Sequence, residues 1–197
     1  MAGAIREILN ARSLTRIENR DQTYRHAGVL IPLMVEGGAC TVLFTERTHR
    51  VEHHKGQISF PGGRVDESDP SFEATAIREA HEEIGLAPED VEVLGRLDDA
   101  LTVASSFVIH PFVARVRLKP DFVVNPSEVE RIIRVPLEFF LSAHADERRR
   151  WVEYEGVRYR TAAYQYGNDL IWGATARIME NFVEIIGPNL ALHLEKE

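Results

Sequence analysis

The chain has 197 residues, of which 44% are hydrophobic and 27% charged, a balance that excludes a disordered, collagen-like or membrane-bundle protein. Lysine and arginine number 23 against 31 aspartates and glutamates, a formal net charge of −8. That acidity argues against a nucleic-acid partner, which leans on basic surface. It leaves an anionic small molecule open as a substrate, because a metal ion reverses the local sign.

No stretch approaches the roughly 18 uninterrupted apolar residues of a membrane span, so no membrane partner is expected. The N-terminus has no apolar core behind a basic start and reads as lacking a signal peptide. Residues 3–20 set Arg6, Arg12, Arg16 and Arg20 among Ile5, Ile8, Leu9 and Ile17. With Glu7 and Glu18 between them, this reads as a short amphipathic helix packed on the domain rather than a transit peptide. Cys40 is the one cysteine and has no internal partner, so a reducing, cytoplasmic location is expected.

In chain order, Val29–Val35 and Thr41–Thr45 read as strands joined by a hairpin turn at Glu36-Gly37-Gly38-Ala39. The polar stretch Glu46–Ser59 leads into Phe60-Pro61-Gly62-Gly63, a turn where the backbone bends or comes close to something. Phe72–Gly85 reads as a helix with Gly85 at its C-terminal end. Val91–Leu97 and Phe107–Leu118 read as strands, and Pro136–Leu141 begins a helix. Trp151–Tyr166 reads as a hairpin turning at Glu155-Gly156. Gly173–Ile186 reads as a closing helix stopped by Gly187-Pro188. Without repeats or linkers, residues 1–197 read as a single domain with an N-terminal helical extension over about 1–24. Strands interleaved with helices give an α/β sandwich.

The segment from Gly63 to Leu86 is the most informative. On a helix, Glu79 and Glu83 are four residues apart and Glu82 is three from Glu79, so their carboxylates share an arc of about 100°. Ile77, Ala80 and Ile84 fall on another arc, which can face a core. Mutually repelling glutamates on one arc are unfavourable without a cation. A solvated acidic face with Arg78 paired to Glu82 is one reading. The adjacent glycine turn favours another, since hard divalent cations take several oxygen ligands and share them with substrate phosphates.

These residues resemble the Nudix box, G-x5-E-x7-R-E-U-x-E-E-x-G-U with U aliphatic. Its second half is matched by Arg78-Glu79-Ala80-His81-Glu82-Glu83-Ile84-Gly85-Leu86. The first half departs from it. The stretch from Gly63 to Arg78 is one residue longer than the general pattern, Asp69 stands where counting forward from Gly63 places a glutamate, and Pro70 stands where counting back from Arg78 does. The resemblance extends over roughly residues 25–185, to the coenzyme A pyrophosphatase branch and its upstream signature L-L-T-x-R-[SA]-x3-R-x3-G-x3-F-P-G-G. Leu43-Phe44-Thr45-Glu46-Arg47, Gly56 and Phe60-Pro61-Gly62-Gly63 keep that spacing. Ser106-Phe107 with Pro111, Asn125–Val129, Val135-Pro136-Leu137 and Ile171–Ala176 are similar to later segments of the branch. Thr48 replaces a small residue. Glu52 replaces an arginine, which reverses the charge at a position expected to meet phosphate.

The resemblance implies a Nudix-type α/β/α sandwich with a mixed β-sheet, the box lying at 63–86. It implies metal-dependent hydrolysis of a nucleoside diphosphate-linked small molecule, with Mg²⁺ or Mn²⁺ as cofactor. The expected substrate is coenzyme A or acyl-coenzyme A, cleaved to 3′,5′-ADP and (acyl-)4′-phosphopantetheine. The alternatives are ADP-ribose or another dinucleotide as substrate, or a nucleotide-sensing module without turnover. Glu79 and Glu83 are the expected principal metal ligands, with Glu82 as a further ligand and the Gly62 carbonyl as a backbone one. Arg78 is expected to orient the cluster. Glu82 and Glu128 are both candidates for the general base. Arg47, Arg50, Lys55 and Arg64 are candidates for the substrate's phosphates. His53-His54 lacks zinc spacing and reads as loop, Asp146–Arg150 reads as an exposed loop, and Trp172 reads as core. The protein is expected as a monomer or homodimer, with residues 1–24 or 151–166 free to pack on a second subunit.

Overall fold

A computed structural model gives the fold and describes residues 1–19, 23–36, 39–48, 56–102, 105–117, 121–143, 149–154 and 156–194. In chain order the elements are α1 (Ala2–Asn10), β1 (Arg25–Glu36), β2 (Ala39–Arg47), β3 (Ile58–Ser59), β4 (Gly62–Arg64) and α2 (Phe72–Ile84). Then follow β5 (Val91–Arg96), β6 (Ala100–Thr102), β7 (Phe107–Val116), β8 (Val129–Pro136) and α3 (Leu137–Ser142). The chain ends with β9 (Arg149–Tyr154), β10 (Val157–Tyr166), β11 (Asp169–Trp172) and α4 (Gly173–Leu194).

The near-continuous apolar runs of β1 and β7 are what a strand covered on both faces requires. These two strands lie parallel at the centre of a mixed sheet, Arg25 opposite Phe107 and Leu33 opposite Arg115. Each then changes partner along its outer edge. β1 pairs with β4 over Ala27–Val29 and with β2 over Leu33–Glu36. β7 pairs with β6 over Phe107–Ile109 and with β5 over Phe112–Val116. Pro32 and Pro111 stand at the two changeovers, where a missing N–H disturbs the outer ladder least.

The sheet is covered on both sides, so the α/β/α sandwich holds. On one side Ala76, Ala80 and Ile84 of α2, with Leu86, pack on Leu30, Met34, Leu43, Phe112 and Ala114. On the other, Ile5 and Leu9 of α1, Phe140 of α3 and Phe182 and Ile186 of α4 pack on Ile31, Val42, Phe44 and Val113. Ala76 takes the core position expected of Ile77, which is only half-buried at the flank of α2. The hairpin expected at 151–166 is β9–β10, extended by β11 into a separate three-stranded sheet. Trp172 is half-buried beside Tyr154 and Tyr159. His53 and His54 lie outside the described residues, as does 146–148 of the expected loop, while Arg149 and Arg150 open β9.

Two helix ends correct the expectations. The N-terminal helix stops at Asn10 instead of running on toward residue 24. Beyond it the carboxylates after β5 compete for backbone donors: Thr15 N–H donates to Asp98 (2.7 Å) and Ile17 N–H to Asp99 (3.0 Å). Asp99 is itself held by His110 of β7 at 2.8 Å, so this strap is tied to the buried sheet. At the other end, α4 passes through Gly187-Pro188 and continues to Leu194. Pro188 is exposed, Ile186 and Leu190 are buried in the same core, and Asn189 Nδ2 donates to the Ile185 carbonyl at 3.2 Å. Packing of the i, i+4 pair outweighs the one hydrogen bond the proline removes.

The proline therefore carries a cost without a packing role. Pro188→Ala is expected to stabilise the protein by about 1–3 kcal/mol and to raise Tm by a few degrees in a thermal melt.

Candidate active site

Helix α2 is fixed at both ends. The Ser71 hydroxyl accepts from Ala74 N–H at 3.1 Å, and Gly85 adopts φ 69°, the left-handed turn that glycine takes without strain. The last carbonyls of α2 would otherwise be orphaned. Asn125 N–H donates to the Glu83 carbonyl (2.9 Å) and Val123 N–H to that of Ile84 (3.1 Å). The segment before β8 thus docks on the end of α2 and brings Glu128 with it. The Asn125 carbonyl accepts from Glu128 N–H at 3.1 Å, and the Glu128 carbonyl accepts from Thr48 N–H at 2.9 Å. This ties Glu128 to the end of β2, where Arg47 sits.

Glu83 is 2% exposed, so its carboxylate has left water. Burial pushes its pKa up to about 8; Arg47 opposes the rise, and Glu79 and Glu128 add to it. Arg47 Nη1 stands 3.8 Å from Glu83 Oε1, and the Gly62 backbone N–H donates to the carboxylate. Among the described residues Glu83 Oε2 is buried without a hydrogen-bond partner. Glu79 is raised as well, first by burial, then by Glu82 and Glu128 against the pull of Arg78. Three carboxylates therefore sense one another here, from the middle and end of α2 and from the turn before β8.

The double glycine makes the arrangement sterically possible. A Cβ on Gly63 would lie 2.4 Å from the Glu79 carboxyl carbon, and one on Gly62 would lie 2.5 Å from the Gly28 carbonyl oxygen. Both glycines are strand residues paired to β1, Gly62 opposite Val29 and Gly63 opposite Gly28. The turn reading of this run holds for its approach, and its two glycines serve close packing.

Arg78 is the hub of the acidic arc. Its Nη1 donates to Glu79 and Glu82, each at 2.9 Å, and its Nη2 donates to the Arg64 carbonyl at 3.2 Å. Its principal partner is one that sequence reasoning did not assign. Asp69 takes Nε and Nη2 of the fork in two bonds of 2.9 Å and also accepts from Thr75 Oγ1 at 2.9 Å. The count forward from Gly63 thus identifies the acid, and Pro70 is exposed. The charge-assisted bonds from Arg78 hold Asp69 well below the usual carboxylate range, against its burial.

The expected site residues divide as follows. Glu79, Glu83, Glu128, Arg78, Gly62 and Arg47 meet at one place. Glu82 is 51% exposed and turned to Arg78, which sets it outside the buried group. Arg64 is exposed and lines an open cavity of about 390 Å³ with Asp66, Glu67, Arg78 and Glu79. Arg50, Lys55 and Glu52 lie outside the described residues. Among the described residues no three His, Cys, Asp or Glu side chains are drawn to metal-ligand spacing. A separate cavity of about 380 Å³ lies between β6 and α4, beside Asp98, Asp99, Arg177 and Asn181.

A family model for the NUDIX domain matches residues 24–155. The chain belongs to the Nudix family. It is 37% identical over 164 residues to the uncharacterized Nudix hydrolase NudL of Photorhabdus laumondii, covering 81% of this chain and 84% of that protein. It is 35% identical over 174 residues to the protein of the same name from Yersinia pestis, covering 87% and 84%. Among solved structures, a MutT/nudix family protein from Enterococcus faecalis shares the fold with TM-score 0.56 at 16% identity, covering 90% of this chain and 66% of that one. A Caenorhabditis elegans Ap4A hydrolase shares it with TM-score 0.50 at 18% identity, covering 62% and 89%.

The protein is thus a Nudix hydrolase, a pyrophosphatase acting on nucleoside diphosphate-linked small molecules, and Nudix hydrolases generally use divalent metal ions. The donor set fits such an ion. Carboxylate oxygens are the hard ligands it prefers, and one of them, Glu83 Oε2, is buried without a partner among the described residues. Among the described residues no helix is long and apolar enough to cross a membrane.

Two substitutions probe this architecture. Asp69→Asn removes a carboxylate whose folded pKa is depressed, so its contribution is present above the unfolded value near pH 4 and fades as pH falls below it. It is expected to cost on the order of 2 kcal/mol in urea unfolding at pH 7, the gap from wild type narrowing below about pH 4. Gly63→Ala places a methyl group against the end of the Glu79 side chain, which must swing away. The expected result is a folded protein with turnover reduced at least about tenfold, read by circular dichroism and product assay.

Proposed function

We propose that this Nudix hydrolase cleaves the diphosphate of coenzyme A or an acyl-coenzyme A, releasing 3′,5′-ADP and (acyl-)4′-phosphopantetheine. The hydrolytic part of the reading rests on one observation, the burial of Glu83 beside Glu79 and Glu128 at the Gly62-Gly63 strand. A binding module gains nothing from desolvating repelling carboxylates. The substrate part is supported by the upstream signature of the coenzyme A pyrophosphatase branch. Its strand β2 ends with Arg47 turned toward Glu83, and its Phe60-Pro61-Gly62-Gly63 run forms the wall under Glu79.

In this reading Glu79 and Glu83 would hold a divalent ion, Mg²⁺ or Mn²⁺, with the Gly62 carbonyl and Glu82 as outer contributors. Such an ion, when bound, neutralises phosphate charge and makes water more acidic. Arg78 keeps Glu79 in place through its fork and is itself anchored by Asp69. Arg47, already facing the acidic group, is set to draw an anionic phosphate toward it, and exposed Arg64 flanks the open side. Glu128 is the favoured base, because Glu82 is engaged with Arg78 at the surface. Its carboxylate would accept a proton from the attacking water as the new P–O bond forms. The bridging P–O bond then breaks, and the proton is released to solvent. Arg50 and Lys55 are further proposed phosphate contacts. A second reading, ADP-ribose or another dinucleotide, is favoured by Glu52 in place of the signature arginine.

The deciding experiment gives purified protein Mg²⁺ or Mn²⁺ and, in parallel, coenzyme A, ADP-ribose, a diadenosine polyphosphate and NADH, with products separated by chromatography. Release of 3′,5′-ADP from coenzyme A, abolished by chelation, is the expected result. Turnover of ADP-ribose or a dinucleotide alone would overturn the substrate and keep the chemistry. Glu83→Gln is expected to lower kcat by at least about 100-fold and to weaken Mn²⁺ binding in a titration, with the fold intact. Full activity in that variant would remove Glu83 from the site.

A further inference from the structure

The hairpin of β9 and β10 carries exposed apolar side chains that neither the core nor the active site uses. Trp151 of β9 is 61% exposed, and Val157 and Tyr159 of β10 are exposed as well. In the order β11-β10-β9, strand β9 is the free edge of its sheet among the described residues. Proteins usually blunt such an edge with a proline, a bulge or charged side chains, lysine above all. Arg149–Tyr154 has no proline or lysine and pairs with β10 without a register shift, and its charges, Arg149, Arg150 and Glu153, are of both signs, so they can match a partner strand as well as repel one.

The faces of this strand are assigned by its partners. Residues directly opposite in a ladder share a face, and neighbours along a strand alternate. Val152 is opposite Tyr159 and Tyr154 opposite Val157, and the rings of Tyr154 and Tyr159 lie against Trp172. Arg149, Trp151 and Glu153 occupy the other face, with Arg160 and Arg158 opposite Trp151 and Glu153. The Arg158 guanidinium lies over the Trp151 ring, 5.2 Å from its centroid.

We propose that β9 is a homodimer edge, pairing antiparallel with β9 of a second copy about a two-fold axis at Trp151 to make a continuous six-stranded sheet. The register follows from symmetry. Opposed residues must share a face, so the axis has to fall on a residue. An axis at Arg150 sets that arginine against its copy, and one at Glu153 sets glutamate against glutamate, both repulsive. An axis at Val152 opposes Trp151 to Glu153 and Arg150 to Tyr154, with no charge matched. An axis at Trp151 stacks the two tryptophans and opposes Arg149 to Glu153 twice. The Arg149 fork touches Glu180 at 3.3 Å and has five N–H donors, enough to serve both. The second copy is therefore the occupant whose charges match this edge.

Sedimentation velocity on the full chain tests this, with circular dichroism confirming that each variant is folded. Wild type is expected as a dimer. Arg149→Glu and Glu153→Arg should each raise the dimer dissociation constant at least about tenfold, and the double reversal should restore it. Monomeric wild type, or a dimer unmoved by either reversal or not recovered by the double, would overturn the proposal. Crosslinking reads the register independently. Cys40 is buried, its thiol pushed up to about 11 by burial, so an introduced cysteine is the reactive one. With copper phenanthroline and air as oxidant, Trp151→Cys should form a disulfide-linked dimer. Glu153→Cys should not, since four residues of strand, about 13 Å, would separate its two thiols. The reverse pattern, or no crosslink in either variant, would also overturn it.

Discussion

A carboxylate that has lost its water dominates this molecule. Glu83 lies under the end of β2 with Glu79 and Glu128 close enough to repel it, and among the described residues Arg47 and one backbone N–H answer its charge. Removing an ion from water without full compensation costs several kcal/mol, so neighbouring elements must hold it there. The helix C-terminal turn does so through Gly85 and the donors of Val123 and Asn125. The strand side does so through Gly62 and Gly63, whose missing side chains leave room for both carboxylates. In the proposed reading that cost is put to use, because a divalent ion held there would offset the repulsion among the acids.

The sheet explains why this happens at one place. β1 and β7 form a parallel pair whose outer edges each switch partner midway, at Pro32 and Pro111. The switch on β1 frees its first half for β4, which carries the double glycine. It leaves its second half for β2, whose far end carries Arg47. α2 crosses the same face and packs Ala76 and Ala80 down with small side chains, so that the helix sits close enough for Glu79 to lie against Gly63. Ala76 in the core, rather than Ile77, is part of the same fit, since a Cβ on Gly28 would meet the Ala76 backbone nitrogen at 2.9 Å. Glycine opposite alanine is what brings strand and helix together.

Much of this was legible from residue types. The carboxylate spacing on α2, its glycine end, the first hairpin and the hairpin at 151–166 follow from local periodicity and turn chemistry. What was not legible depends on partners distant in the chain. The short strands β4, β6 and β11 are too brief for a periodic signal and exist because β1, β7 and β10, in that order, offer free edges to pair with. The helix stop at Gly187-Pro188 is a sound local signal overridden by the burial of Leu190. The early end of α1 is imposed by Asp98 and Asp99, more than eighty residues away. Burial of Glu83 also escaped the pattern, because a helical arc of three acids reads as one exposed face.

The role of Asp69 shows how a departure from a family pattern can be resolved by geometry. Counting from Gly63 pointed to Asp69 and counting from Arg78 to Pro70, and sequence alone could not choose. The loop folds on itself, with Asp69 N–H donating to the Asp66 carbonyl at 3.0 Å and Asp66 N–H donating back to the Asp69 carboxylate at 2.9 Å. That closure fixes the carboxylate before α2 begins. The extra residue then falls between Asp69 and Arg78, around the Ser71 cap, where it alters the approach to the helix and leaves the ion pair whole. The fork reads the position of two oxygens, and an aspartate held by a closed turn supplies them as well as a longer acid on a shorter loop. The constraint on this site is the placement of Glu79 by Arg78, and the chain meets it by a different count of residues.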